Sequence, residues 1–285
     1  MRHLIATTIA ATAIPLMVPV GVVAATLPVG YQVASRVWHN PDLLPASPEN
    51  PQVHYEPGGV EYAHAVAALL PAAIARVEAV HGRPFARPVG IGAYVTWEAF
   101  AAGNGLGHPR AAGVTFFGHV TLAPLLFSSQ RQRLAGILTH ELSHAHLQGW
   151  ISPSAYIHLP NWFKEGLAVM ISGGGGAEFV SEVEARDAMR RGDRIVIESE
   201  GSARNLTGIR FENPAHTVDA SHVMMGYRQA GLFVTFLHDR DAAGFARMMA
   251  AVLDRRQFAD AVMAGYGRDL RTLWIDFLRS NEKLS

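Results

Sequence analysis

The 285-residue chain contains no cysteine, which excludes disulfide bonds, thiol catalysis and cysteine-based zinc fingers. Charged residues are also scarce, at 17%, and 24 basic side chains balance 24 acidic ones to a formal net charge of +0. Nucleic-acid-binding proteins usually carry a basic excess, so this balance argues against nucleic acid as a partner. Hydrophobic residues make up 49% of the chain, which is enough for a sizeable buried core.

Charge is missing altogether from the long apolar segment that follows Arg2 and His3, since the next charged residue is Arg36. A short basic start before an apolar run is typical of an export signal, and the small residues up to Ala25 suit cleavage. Roughly 20 apolar residues can also span a bilayer as an uncleaved anchor. A buried core helix is the third alternative. We predict a signal peptide or N-terminal membrane anchor over residues 1–27, with the remainder periplasmic, secreted or membrane-anchored outside the cytoplasm.

The rest of the chain divides into a predicted proline-rich linker, residues 28–52, and one folded domain, residues 53–285. The density of proline before Val53 favours an extended tether, with prolines at 41, 45, 48 and 51. Within the domain, the strand-like stretches "PVGIGAYV" and "VTFFGHVTLA" come early, and mainly helical patterns follow from Asn161. Early strands and late helices predict an α+β fold.

The stretch "LTHELSHAHLQGW", Leu138–Trp150, concentrates residues that bind metals. His140 and His144 are four residues apart, so on a helix both lie on one face and can point ring nitrogens at one Zn²⁺. Glu141 lies beside the pair, where it can take a proton from a metal-bound water. This is the role of the glutamate in the H-E-x-x-H motif. His146 is offset by two residues from His144 and is expected to face away. Upstream, Ser129 with Gln132 predicts a capping box that opens this helix.

A catalytic zinc needs a third protein ligand, and Glu165 in "LPNWFKEGLAV" supplies one 21 residues after His144. A helix, a loop and a second helix would bring this carboxylate back to the first helix. We favour Glu165 over His158, which we place in the loop, because two histidines and a glutamate are an established catalytic zinc set. The rival pattern with a third histidine fails, since Leu147 and Trp150 occupy its glycine and histidine positions.

The segments "HELSHAH", "LPNWFKEGLAV" and "GYRQAGLFVTFL", in this order, resemble the gluzincin zinc metallopeptidases, and among them the peptidase-MA-like domains. The resemblance covers roughly residues 53–280. It implies a zincin-like fold, with a small twisted N-terminal sheet, an active-site helix and a mainly helical C-terminal half. It also implies that "GVTFFGHVTLA" is an edge strand to which a peptide substrate adds through main-chain hydrogen bonds.

The function implied is hydrolysis of peptide bonds in a peptide or protein substrate, with one Zn²⁺ held by His140, His144 and Glu165. Glu141 would serve as general base. The oxyanion needs a second electrophile besides the metal, and Tyr227 is the candidate because relatives often place a tyrosine on the helix after the ligand helix. Packing at a helix start is the other interpretation of Tyr227, and His222 is a weaker alternative for the same role.

Three other functions remain open from the sequence. The first is a catalytically silent zincin-like module for binding or assembly at the cell envelope, which would have no chemical need for Glu141. The second is a zinc hydrolase of a non-protein amide, which nothing in the sequence distinguishes from a peptidase. The third is a membrane-attached structural protein in which the histidines only pack, which leaves Glu165 unexplained.

Overall fold

The computed structural model describes residues 39–105, 111–202, 208–213 and 220–282. The predicted signal peptide or anchor, residues 1–27, lies outside the described residues, as do linker residues 28–38. The described residues combine many helices with a small four-stranded mixed sheet, which agrees with the predicted α+β class.

The sheet consists of four short strands in the order β1-β2-β4-β3. Strands β1, β2 and β4 are parallel, and β3 runs antiparallel to β4 at one edge. Alternate residues of the central strands, such as Ile91 with Ala93, are fully buried, and Thr121 of β4 is buried as well. The central strands are therefore covered on both faces. The bounds are β1 Val53–Tyr55, β2 Ile91–Ala93, β3 Gly113–Phe116 and β4 His119–Leu122.

Helices surround this sheet and make up the C-terminal half of the described chain. They are α1 Val60–His81, α2 Trp97–Gly103, α3 Leu134–Trp150, α4 Pro153–His158, α5 Asn161–Ser172, α6 Glu182–Arg190, α7 Ala220–Arg240, α8 Ala242–Leu253, α9 Phe258–Tyr266 and α10 Leu270–Glu282.

The segment "GVTFFGHVTLA", expected to be one edge strand, instead folds as the β3–β4 hairpin. Phe117 and Gly118 form its two-residue turn with φ angles of 49° and 78°. Positive φ at both central positions is the geometry that matches the twist of paired strands. The sequence does not predict this turn, because Phe117 occupies a position where asparagine, aspartate or glycine is usual. Only β3 lies at the sheet edge, while β4 pairs on both sides.

Part of the predicted linker packs against the sheet. Pro41–Leu43 form a short 3-10 helix, and Pro41 and Ser47 are buried. The Asp42 carboxylate lies 2.8 Å from Nε2 of His119 on β4. Residues 39–52 therefore differ from the extended tether expected from their proline content.

The α3 helix starts differently from the prediction. A 3-10 turn over Arg131–Arg133 leads into Leu134, and no side chain caps the helix, so the predicted box between Ser129 and Gln132 does not open it. The short helix α4 occupies the region expected to be a loop before α5. In contrast, α5 spans the predicted helix and ends at Gly173, whose φ of 69° is a left-handed cap.

Helix α1 runs unbroken past Pro71, which lies on an exposed face, and ends at Gly82, whose φ of 72° is a left-handed cap. Among the described residues it is the one helix long and apolar enough to cross a membrane, with 22 residues and a mean hydropathy of 1.5. Its inner stripe includes Val66, Leu70 and Val77, which are buried at helical spacing, and the helix packs on α3. This stripe is what a core helix of the domain requires.

Candidate metal centre

Helices α3 and α5 pack together and bring His140, His144 and Glu165 to one point. The Nε2 atoms of the two histidines are 3.2 Å apart. Oε2 of Glu165 lies 3.3 Å from Nε2 of His140 and 3.5 Å from Nε2 of His144. Both histidines are less than a tenth exposed, and the Glu165 side chain is 16% exposed, so the cluster is largely shielded from solvent.

These spacings test whether the three side chains suit a zinc ion. A tetrahedral centre with bonds of about 2.0–2.1 Å has ligand atoms about 3.3 Å apart along each edge. All three observed separations are close to this length, and two imidazoles with one carboxylate are a donor set that Zn²⁺ accepts. Three protein ligands also leave a fourth position for solvent or substrate. The residues therefore fit the metal that the sequence predicts.

His158, the alternative third ligand, is not brought to this point. It lies on the exposed end of α4, and its Nδ1 donates to the Ser154 carbonyl oxygen at 2.7 Å. Within the described part of the chain, the potential metal-binding group consists of His140, His144 and Glu165. Each offers one ligand atom, and these three atoms lie within 4.8 Å of one another.

The charges in the cluster favour a bound cation. Burial alone would lower the pKa of His140, but the hydrogen bond with Glu165 and the negative charges of Glu141 and Glu165 raise it above its ordinary value. Burial would raise the pKa of Glu165, yet the nearby His144 charge and hydrogen bonds from both imidazoles lower it strongly. Two carboxylates beside two buried imidazoles thus stabilise positive charge held between them.

The ring of each histidine is held through its second nitrogen. Nδ1 of His140 donates to the Gly175 carbonyl oxygen at 2.8 Å, and Nδ1 of His144 lies 3.2 Å from the Tyr156 hydroxyl. Gly175 approaches α3 so closely that a Cβ there would lie 2.5 Å from the Gly136 carbonyl oxygen. The glycine run at 173–176, which directly follows α5, therefore also orients a histidine of the cluster.

Glu141 faces the edge strand β3. Oγ1 of Thr115 lies 2.7 Å from Glu141 Oε2 and 2.8 Å from the Glu141 carbonyl oxygen, so one hydroxyl hydrogen is shared between two acceptors. A Cβ at Gly113 would come within 2.8 Å of Glu141 Cγ, which shows how closely the strand passes. The sequence pattern does not single out Thr115, because its contact with Glu141 spans 26 residues.

Tyr227 projects from α7 to the cluster. Its ring lies nearly parallel to that of His140, with centroids 6.2 Å apart. Burial raises the pKa of Tyr227 well above its ordinary value, and the charges of Glu165 and Glu141 together with a hydrogen bond to Glu165 raise it further. The phenol is therefore a neutral hydrogen-bond donor. His222, the alternative, instead meets the Phe211 ring edge-on at 6.0 Å.

His146 faces away from the cluster, as predicted, and belongs to a second buried group behind α3. Its Nδ1 lies 2.8 Å from Nδ1 of His81, and its Nε2 donates to the Arg83 carbonyl oxygen at 2.9 Å. Nε2 of His81 lies 3.2 Å from Oγ of Ser143. The sequence did not point to His81, which joins the end of α1 to the side of α3 that lies opposite the cluster.

Comparisons of the chain with protein-family models, curated proteins and solved structures give no match. The resemblance to gluzincins therefore rests on the motif residues alone.

Proposed function

We propose that the protein is a zinc-dependent metallopeptidase of the gluzincin type with a zincin-like fold, in which His140, His144 and Glu165 hold one Zn²⁺. The observation that carries the proposal is the convergence of these three side chains at separations of 3.2 to 3.5 Å. Histidines that only pack have no need of a carboxylate, largely shielded from solvent, with one oxygen within 3.5 Å of both Nε2 atoms.

A zinc ion bound in this cluster would lower the pKa of a coordinated water toward about 7 and polarise a carbonyl group. Glu141, next to His140, would serve as the general base and would pass the proton to the leaving amine. Thr115 holds one oxygen of this carboxylate in place, which leaves the other to act as the base. Tyr227, whose pKa is raised well above its ordinary value, would stay protonated and would donate a hydrogen bond to the oxyanion.

Strand β3 supplies the place for an extended substrate. It pairs with β4 on one side and lies at the edge of the sheet, directly beside Glu141. A peptide that adds to this edge through main-chain hydrogen bonds would run past the general base. The apolar N-terminal segment supports a location outside the cytoplasm, with membrane attachment if the segment is retained.

The test is metal content paired with activity of the full chain. We expect about one zinc per chain by elemental analysis, casein hydrolysis that a chelator abolishes, and recovery when zinc is restored. His144→Ala should lose the metal, whereas His158→Ala, the same change outside the cluster, should keep it. Equal zinc in both variants would refute the site. Bound zinc without cleavage of proteins or peptides would favour a binding module or the hydrolysis of a non-protein amide.

A further inference from the structure

We propose that Tyr156 is a positioning residue that sets the orientation of the His144 ring in the metal site, an inference that rests on the proposed zinc binding. The Tyr156 hydroxyl lies 3.2 Å from Nδ1 of His144. The opposite ring nitrogen, Nε2, is the atom that converges with His140 and Glu165. When Nε2 offers its lone pair to a cation, Nδ1 carries the proton and donates it to the Tyr156 oxygen.

Tyr156 is fixed in position by the capped helix on which it lies and by contacts with Lys164. It lies on α4, whose first turn is capped by the Ser152 hydroxyl accepting from the Ala155 amide at 3.2 Å. The Lys164 ammonium group, itself buried, donates to the Tyr156 carbonyl oxygen at 3.3 Å and lies 4.6 Å from the centre of its ring. Lys164 directly precedes Glu165, so these two contacts fix the tyrosine relative to the proposed third ligand.

The two histidines are therefore oriented by different means. A backbone carbonyl, that of Gly175, holds His140, while a side-chain hydroxyl holds His144. Only the second contact can be removed by a substitution that leaves the backbone and the packed ring in place. Partners of this kind orient metal-binding histidines, and their loss typically lowers metal affinity about 10–100-fold. Lys164, which is buried and has no role in the proposed hydrolysis, would serve to hold Tyr156 in place.

The experiment compares Tyr156→Phe with Tyr62→Phe in the full chain. Tyr62 lies on α1, and its ring stacks on that of Phe127 with the ring centroids 4.2 Å apart. This control therefore deletes a hydroxyl away from the cluster. Zinc affinity is measured by competition with a chromophoric chelator, and the absorption bands of the Co²⁺-substituted protein report the coordination geometry. We expect Tyr156→Phe to bind zinc about 10–100-fold more weakly with altered Co²⁺ bands. Tyr62→Phe should match the wild type.

The possible outcomes separate this inference from the proposed function. Unchanged affinity and an unchanged Co²⁺ spectrum in Tyr156→Phe, with zinc still bound by the wild type, would overturn the role of Tyr156 and leave the metal site standing. A wild-type chain that binds zinc no better than His144→Ala would overturn both. Urea unfolding of the two tyrosine variants shows whether weaker binding comes from lost stability. A drop in affinity without a matching drop in stability supports positioning.

Discussion

At the scale of single residues, Glu141 follows a metal-cluster histidine directly in the chain but points to a different neighbour. Its carboxylate lies against Thr115 of β3, whereas the Nε2 atoms of His140 and His144 turn toward Glu165. In the proposed mechanism, one helix would thus separate metal binding from proton transfer, because it presents consecutive side chains in different directions.

This separation predicts the effect of Glu141→Gln. The amide keeps the size of the side chain but cannot take up the proton, so activity should fall on the order of 10³-fold or more while zinc stays bound. The measurement is kcat/KM together with zinc content in the same preparation. Glu98→Gln, a change on helix α2, serves as the control. Hydrolysis at the wild-type rate in Glu141→Gln would remove Glu141 from the mechanism.

The local sequence predicts those site residues whose spacing alone carries the chemistry. His140, His144 and Glu141 follow from a helical period, and the choice of Glu165 follows from the need for a third ligand. Thr115, Tyr156 and Gly175 could not be predicted in this way. Each is an ordinary residue in its local context and gains its role only when the fold brings it to α3, across 26 residues for Thr115 and 35 for Gly175.

At the scale of elements, the position of Glu165 depends on how closely α5 packs on α7. A Cβ added to Gly166 would lie 2.6 Å from the Ala230 carbonyl oxygen, and one added to Gly231 would lie 2.5 Å from Cγ1 of Val169. The backbones of the two helices therefore approach each other closely at Gly166 and Gly231, beside Glu165. Tyr227 comes from the same stretch of α7, so this contact places both side chains in one cluster.

We therefore expect Gly166→Ala to push α5 away from α7. Overpacking of this kind costs about 1–3 kcal/mol of unfolding free energy, and zinc affinity should fall because Glu165 moves with the helix. Gly149→Ala is the control, because its Cβ would have an ordinary 3.6 Å contact with Ala86 and alanine favours a helix by up to about 1 kcal/mol. Urea denaturation and zinc titration measure both effects. A Gly166→Ala protein as stable as the wild type would contradict the close packing.

Element boundaries that are set by a capping residue could be predicted from the sequence. Boundaries that depend on tertiary packing could not. Thr96 caps α2 by accepting a hydrogen bond from the Ala99 amide, and Gly82 ends α1. Both helix boundaries are therefore set by residues next to them in the sequence. The β3–β4 turn is different, because Phe117 adopts a positive φ that its sequence does not favour. The start of α3 at Leu134 likewise has no side-chain cap to predict it.

At the scale of the whole molecule, α3 separates two buried histidine groups with opposite responses to protons. On one side, Glu165 and Glu141 raise the pKa of His140. On the other side, burial lowers the pKa of His81 well below its ordinary value, and the charges of His146 and His144 lower it further. Burial also lowers the pKa of His146, although the carbonyl oxygens near Arg83 oppose the change. Acid should therefore act on the fold through the second group.

The predicted consequence is a loss of stability at mildly acidic pH. A histidine whose pKa is lower in the folded than in the unfolded state stays neutral in the folded protein. At a pH between the two pKa values it binds a proton only when the protein unfolds. Its contribution to stability is therefore complete above the unfolded value of about 6.5 and declines as the pH falls below it. Each such histidine adds a slope of up to about 1.4 kcal/mol per pH unit in this range. Replacing His81 by glutamine, which can still donate and accept hydrogen bonds, should reduce the slope by about that amount.

The measurement is the free energy of urea unfolding from pH 7.5 to 5.0 for the wild type, His81→Gln and His64→Gln. His64 also lies on α1, but its side chain is 41% exposed, so its replacement controls for the loss of an imidazole at the surface. All three proteins keep the cluster, so comparing their slopes cancels its own contribution and leaves, from the cluster, only the effect of the His144 charge on His81. A wild-type slope in His81→Gln would show that the His81–His146 pair does not control acid stability. A shallower slope in His81→Gln alone would assign the acid sensitivity of the fold to the contact between α1 and α3.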